Sequence, residues 1–182
     1  MGLAYVESFD GTHFVIRGEA IDTDSEPMID DIIPPFQPFE RLPRRTSNSI
    51  RLLREHAFQT AVRRAYHGRC SLREPGYSFR GQPLAIEAAH LIPVSERGTS
   101  KDIRNGVLLC RNHHTLFDRY LWAFDEDFRV MVTGDRMFRK SAANNCVLKA
   151  EGGKLPNLPE MQYDMPAREA IRFRLDRFYS SE

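Results

Sequence analysis

Apolar and polar positions recur along the chain with a changing period, and each period predicts a different element. Tyr5–Phe9 and Thr12–Arg17 flank the turn dipeptide Asp10–Gly11 and predict a β-hairpin. Apolar residues then recur at helical spacing, with arginines between them, from residue 49 to about residue 67, and Gly68 follows as a stop. The predicted buried stripe of this helix is Ile50, Leu53, Ala57, Ala61 and Ala65.

The centre of the chain predicts a strand, a loop, a second strand and a helix. Residues 84–92 are an apolar run whose strand pairing ends at Pro93. A polar loop over 94–104 follows, then a short apolar run at 106–110 and a helical pattern from 112 to about 120. The sequence therefore predicts a ββα unit.

Two more patterns complete the chain. Residues 121–124 and 128–133 flank an acidic turn and predict a hairpin whose core contains Trp122. A last helix is predicted over about 167–179, and its apolar face consists of Ile171, Leu175 and Phe178. Strands and helices in separate runs indicate an α+β fold.

The segment 18–45 is acidic and then rich in proline, which disfavours both helix interiors and central strands. We therefore expect an N-terminal hairpin and extended arm over 1–45. A second domain is expected over 46–182, with its core motif at 84–124.

Charge is distributed unevenly, although the net charge is only +1. Residues 1–40 contain nine acids and one base, a local charge of −8, whereas residues 41–80 contain ten arginines and two acids, a local charge of +8. Dense arginine is suited to phosphate binding. The alternative is a solvated helix face paired with the acidic segment.

The three cysteines are too few for a disulfide framework and fit a reducing compartment. No apolar run is long enough to span a bilayer, and the first residues lack the pattern of a signal peptide. We expect a cytoplasmic protein without membrane contact.

One polar pattern points to chemistry. In EAAHLIPVSERGTSKDIRNGVLLCRNHHTLFDRYL, His90 ends the first central strand, Asn105 enters the second and His114 lies on the helix. Asp118 follows His114 by four residues and so lies on the same helix face. A neutral imidazole can accept a proton near neutral pH, and a histidine with a carboxylate can bind a divalent ion.

These intervals, within GRCSL…IEAAHLIPVSE…NGVLLCRNHHTLFDRYLWAFD, resemble the HNH endonuclease family, which has a ββα-metal fold. The residues around these positions are most similar to those of the prokaryotic restriction-type branch. The resemblance is strong over about 55–135, weaker over the last helix, and does not include 1–45.

The resemblance implies roles for the four residues. His90 would be the general base, Asn105 would orient its imidazole, and His114 with Asp118 would bind one divalent ion (magnesium, manganese, nickel or zinc). DNA would be the substrate, and Arg63, Arg64 and Arg69 are candidate phosphate contacts.

The sequence departs from the family pattern at Ala89, where many members have a metal ligand before the base histidine. Glu87 is expected to point to the opposite strand face from His90, so it is not predicted to fill the gap. Water, the substrate phosphate or another side chain remains as an alternative.

Many relatives also have a structural zinc bound by two C-x-x-C pairs. Cys110 and His113 keep one such spacing, but Cys70 is followed by Arg73, which cannot ligate zinc. We therefore predict that Cys70 and Cys110 are small buried apolar residues and that His113 packs locally.

The resemblance favours a metal-dependent DNA endonuclease of restriction or phage defence, which acts as a homodimer, with a separate recognition subunit or with little sequence preference. One alternative is an inactive HNH-like module that only binds nucleic acid. Another is a scaffold stabilised by zinc, which would unfold when the metal is removed.

Overall fold

The computed structural model describes residues 3–9, 14–19, 35–39, 48–72, 78–80, 82–96 and 102–181. It divides the chain into two compact units, Met1–Pro35 and Phe36–Glu182. In the first unit, β1 (Leu3–Phe9) and β2 (Phe14–Glu19) pair antiparallel, which confirms the predicted hairpin. The predicted turn dipeptide and most of the proline-rich arm lie outside the described residues.

The second unit mixes short helices with two-stranded antiparallel sheets, as expected for an α+β fold. Its strands are β3 (Ser78–Phe79), β4 (Gln82–Pro83), β5 (Ile86–His90), β6 (Gly106–Cys110), β7 (Trp122–Phe124) and β8 (Val130–Val132). Its helices are α1 (Asn48–Ala65), α2 (Arg111–Asp118), α3 (Arg136–Lys140), α4 (Asn145–Leu148) and α5 (Arg168–Ser180). No helix in these described segments is both long and apolar enough to cross a lipid bilayer.

The hairpin of β5 and β6 is the centre of the unit. Its register runs from the pair Ile86–Cys110 to the pair His90–Gly106. Most side chains of both strands are buried, since α1 and α2 each pack against this hairpin. The predicted ββα core is therefore present.

In the part of α1 whose side chains the structure describes, residues 55–65, the buried stripe differs from the predicted one, and Ile50 and Leu53 lie outside that part. Phe58, Val62 and Tyr66 are buried, whereas Ala57 is exposed and Ala61 is only half-buried. The larger apolar side chains remove more surface from water, so they take the inner face. The helix ends as predicted, because Gly68 has a positive φ of 69° and its N–H donates to the Arg63 carbonyl at 2.9 Å.

The last helix, α5, buries an arginine that the sequence pattern did not predict. The Arg174 guanidinium lies 3.7 Å from the Phe117 ring centroid and 4.3 Å from that of Tyr120. It donates a hydrogen bond to the Phe117 carbonyl in the last turn of α2. Burial lowers the pKa of Arg174 to about 10. This arginine ties α5 to the end of α2.

Gly106 allows α1 to approach the hairpin closely. A Cβ at this position would lie 2.5 Å from Val62 Cγ2 and 3.0 Å from both Phe58 Cζ and the Ile103 carbonyl oxygen. Its φ of −120° is ordinary for a strand, so packing and not backbone conformation requires the glycine.

We predict that Gly106→Ala lowers the free energy of unfolding by about 1–3 kcal/mol through overpacking. Val62→Ala removes the nearest methyl group, so the double variant Val62→Ala/Gly106→Ala should lose less stability than the sum of the single variants. Urea unfolding of all four proteins measures this coupling. Strict additivity would contradict the packing explanation.

Candidate active site

Helix α2 directs two adjacent histidines to different surroundings. It begins directly after β6, and successive residues of a helix are rotated by about 100°. His113 is buried and contacts Trp122, which also donates its indole N–H to the His113 carbonyl at 3.0 Å. The His114 side chain is 21% exposed.

Three of the four predicted site residues line one cleft of about 520 Å³. His90 enters from the end of β5, and His114 and Asp118 enter from α2. The remaining lining residues are Glu55, Gln59, Ala88, Pro93, Val94, Ser95 and Tyr120. The cleft is thus built from α1, β5, its following turn and α2.

His90 is held by an aromatic contact. Only 8% of the residue is exposed, and its ring stacks on Phe58 with a centroid distance of 4.1 Å and an interplanar angle of 13°. A stacked ring has fewer accessible rotamers, so the face and edge that His90 offers to the cleft are restricted.

Asn105 is completely buried and holds the backbone that follows His90. Its Oδ1 accepts a hydrogen bond from the Ile92 N–H at 2.9 Å, and its Nδ2 donates to the Ile92 carbonyl at 3.5 Å. The Asn105 carbonyl also accepts from the Leu91 N–H at 2.9 Å. Asn105 therefore holds the backbone of Leu91 and Ile92, which directly follows His90.

His114 lies between two carboxylates. Its Nδ1 is 2.9 Å from Glu87 Oε2, and its Nε2 is 3.3 Å from Asp118 Oδ2. The other Glu87 oxygen accepts from Arg111 Nε at 3.1 Å. The hydrogen bond with His114, assisted by Arg111, lowers the pKa of Glu87. Glu87 was not predicted to be a metal ligand, and in the structure its carboxylate contacts His114.

The donor set of the cleft fits a divalent cation. His114 and Asp118 are one helical turn apart and offer an imidazole nitrogen and a carboxylate oxygen, which suit zinc, manganese or magnesium in different degrees. Ala89, at the position where many relatives have a ligand, is completely buried and offers none.

A second donor group lies around His113. The sulfur atoms of Cys70 and Cys110 and a ring nitrogen of His113 lie within 4.8 Å of one another. Cys70 Sγ is 3.3 Å from His113 Nδ1, and Cys146 Sγ is 3.4 Å from His113 Nε2. All three cysteines of the chain therefore lie around one buried histidine, an arrangement that the predicted local packing did not include.

The electrostatics of this group favour a thiolate at Cys110. A hydrogen bond from Cys70, followed by those from His113, lowers the pKa of Cys110. The same hydrogen bond and burial raise the pKa of Cys70. A thiolate beside a thiol and an imidazole is a soft donor set of the kind that binds zinc.

The predicted phosphate-binding arginines lie in different surroundings. Arg63 donates from Nη2 to the Ile86 carbonyl at 2.8 Å and so supports the start of β5. Arg64 lines a separate cavity of about 690 Å³ with His67 and Glu160. Arg69 is exposed. A role of these arginines in DNA binding stays a prediction.

Sequence reasoning missed Cys146, because it lies outside the C-x-x-H spacing. It also missed the contact of Phe58 with His90, since the aromatic residue was not on the predicted helix stripe. The alternation of a strand predicted the face of Glu87 but not that α2 would bring His114 to that residue.

Comparison with known proteins identifies the central segment. A family model described as HNH endonuclease matches residues 70–125. No curated protein matches the chain. A solved structure titled modification dependent TagI restriction endonuclease is similar, with 18% identity and a TM-score of 0.49 over 66% of this chain; the chain spans only 37% of that protein. Residues 70–125, which include the β5–β6–α2 unit, therefore match the HNH endonuclease family.

Proposed function

We propose that the protein is a metal-dependent DNA endonuclease in which His90 acts as the general base. The observation that supports this most directly is the single cleft lined by His90, His114 and Asp118. A proton acceptor and a pair of metal donors are the groups that phosphodiester hydrolysis requires. The similarity of the motif residues to the restriction-type branch supports a role in restriction or phage defence.

His90 would accept the proton of the attacking water. The stacked Phe58 ring restricts the orientation of the imidazole, and Asn105 fixes the turn at Leu91 and Ile92 from which the histidine extends. Both contacts keep the base in place before the substrate arrives, and such positioning is a large part of catalysis.

His114 and Asp118 would hold the cation. When bound, a divalent ion polarises the phosphate and stabilises the leaving oxygen. Magnesium, manganese, nickel and zinc remain candidates, since one imidazole and one carboxylate do not select among them. Water or a substrate oxygen would fill the positions that Ala89 leaves without a ligand.

DNA would be attracted by the arginine-rich segment 41–80, whose local charge is +8. Arg64 and Arg69 are the better candidates for phosphate contacts, because Arg63 is already bound to the Ile86 carbonyl. The chain would act as a homodimer, with a separate recognition subunit, or on its own with little sequence preference.

We expect His90→Ala to reduce plasmid nicking by about 10²–10⁴-fold, the usual contribution of a general base, while DNA affinity is retained. Nicking is measured with each of the four candidate metals, and affinity by fluorescence anisotropy. His67→Asn is the control, because asparagine tolerates the positive φ of 50° at this exposed position. Wild-type protein that binds DNA but cuts with none of the metals would favour the inactive binding module.

We expect Asn105→Ala to lower both stability and cleavage, because it leaves the buried Ile92 N–H without its side-chain acceptor, at a cost of about 1–3 kcal/mol. Asn144→Ala is the control, since Asn144 also donates to a backbone carbonyl, that of Phe138 at 2.8 Å, but does not line the cleft. Cleavage below the unfolding temperature separates the two effects. Equal losses of cleavage in both variants would contradict an orienting role for Asn105.

The Cys70, Cys110 and His113 group supports a second role, a structural metal centre. Its donors come from the segment after α1, from the end of β6 and from α2, so a bound ion would join three parts of the core. Zinc is the ion that this soft set favours. Such a centre would be distinct from the cation of the cleft.

We predict that the protein binds one zinc ion tightly and that chelation lowers its melting temperature. Cys70→Ser should remove the zinc and make the melting temperature insensitive to chelator, because a metal that binds only the folded state stabilises it. Cys146→Ser should keep the ion, since Cys146 faces the other nitrogen of His113. Zinc content by mass spectrometry and thermal melts test this. Equal chelator sensitivity of wild type and Cys70→Ser would contradict it.

A further inference from the structure

We propose that Glu87 is a positioning residue that holds His114 in one tautomer, with the proton on Nδ1 and the lone pair of Nε2 directed to the metal. This inference rests on the proposed function, in which His114 is a metal ligand. The sequence pattern did not predict a role for Glu87, and the proposal gives Glu87 a defined action on the His114 ring.

The distances assign the proton of the imidazole. A neutral imidazole has one N–H group, and the shorter of the two carboxylate contacts of His114 is the one from Nδ1 to Glu87 Oε2, at 2.9 Å. The contact from Nε2 to Asp118 Oδ2 is longer, at 3.3 Å. In the neutral imidazole this geometry favours a proton on Nδ1 that is donated to Glu87, and it leaves Nε2 facing Asp118, the second proposed metal donor.

The exposures of the two carboxylates support different roles. The Asp118 side chain is 59% exposed and can exchange its contact with His114 for a cation. The Glu87 side chain is 35% exposed and is already held by Arg111 through its other oxygen. A carboxylate with both oxygens occupied by donors is suited to orient a ligand and to raise its basicity.

Two contacts at the start of β5 fix the position of Glu87. Arg63 donates to the carbonyl of Ile86, the residue before Glu87, and the Arg111 N–H donates to the Ala85 carbonyl at 3.0 Å. The strand and the first turn of α2 are thereby joined. The Glu87 carboxylate and the His114 ring are brought together by backbone contacts and not by their own hydrogen bond alone.

Binding of Mn²⁺ tests the proposal directly. We expect Glu87→Gln, and more strongly Glu87→Leu, to weaken Mn²⁺ binding by about 10- to 100-fold, the usual loss when an outer partner of a metal ligand is removed. The probe is Mn²⁺ titrated into zinc-loaded protein and followed by electron paramagnetic resonance. Mn²⁺ prefers oxygen and nitrogen donors, so the cysteine group does not compete for it.

Glu126→Gln is the matched control. The Glu126 side chain is 31% exposed, and its carboxylate accepts a hydrogen bond from Arg172 Nε at 2.7 Å. Glu126 is not one of the residues that line the cleft. Its replacement should leave Mn²⁺ affinity unchanged. Equal affinities of Glu87→Leu and wild type would overturn the proposal.

The tautomer is observed independently by ¹⁵N spectra of the histidine side chains in protein that holds one zinc ion and no added metal, at an alkaline pH where ordinary histidines are neutral. Wild type should show the proton on Nδ1 of His114, and Glu87→Leu should lose this preference. A wild-type His114 with its proton on Nε2 would overturn the proposal. Neither measurement uses DNA cleavage, so a protein that binds Mn²⁺ through His114 but does not cut DNA would refute the proposed function and leave this inference intact.

Discussion

The rotation of α2 about its own axis is the constraint on which the site depends. His113 is held by Cys70, Cys146 and Trp122, all of which lie outside α2. Because neighbouring residues of a helix differ by a constant angle, fixing His113 also fixes the direction of His114. The cysteine–histidine group and the cleft are therefore two results of one helix orientation, although they have no residue in common.

The other half of the site depends on the β5–β6 register. His90 lies opposite Gly106, and the missing side chain of Gly106 lets Phe58 and Val62 of α1 approach the hairpin. The same Phe58 ring stacks on His90. A shift of one residue in the register would turn His90 to the other face of the hairpin, so the strand pairing and the helix packing together decide where the His90 ring points.

The sequence was most informative where spacing carries the chemistry. The apolar runs indicated the ββα unit, the order of His90, Asn105 and His114 indicated the family, and the four-residue interval to Asp118 placed that carboxylate beside His114. Contacts between distant segments could not be read in this way. Cys146 lies 33 residues from His113 and Glu87 lies 27 residues before His114, and no periodic pattern links them. The stripe of α1 was misjudged because spacing favoured its alanines, whereas side-chain size decided which face is buried.

The burial of Arg174 affects how the second unit unfolds. Its guanidinium is enclosed by Phe117 and Tyr120, and its Nε and Nη1 atoms are buried without a hydrogen-bond partner among the described residues. A cation in such a place is tolerated only while the surrounding rings and the Phe117 carbonyl stay in position. The end of α2 and the whole of α5 should thus open and close as a single cooperative block, and the last turn of α2, which carries Asp118, owes its rigidity to a helix that contributes no residue to the cleft.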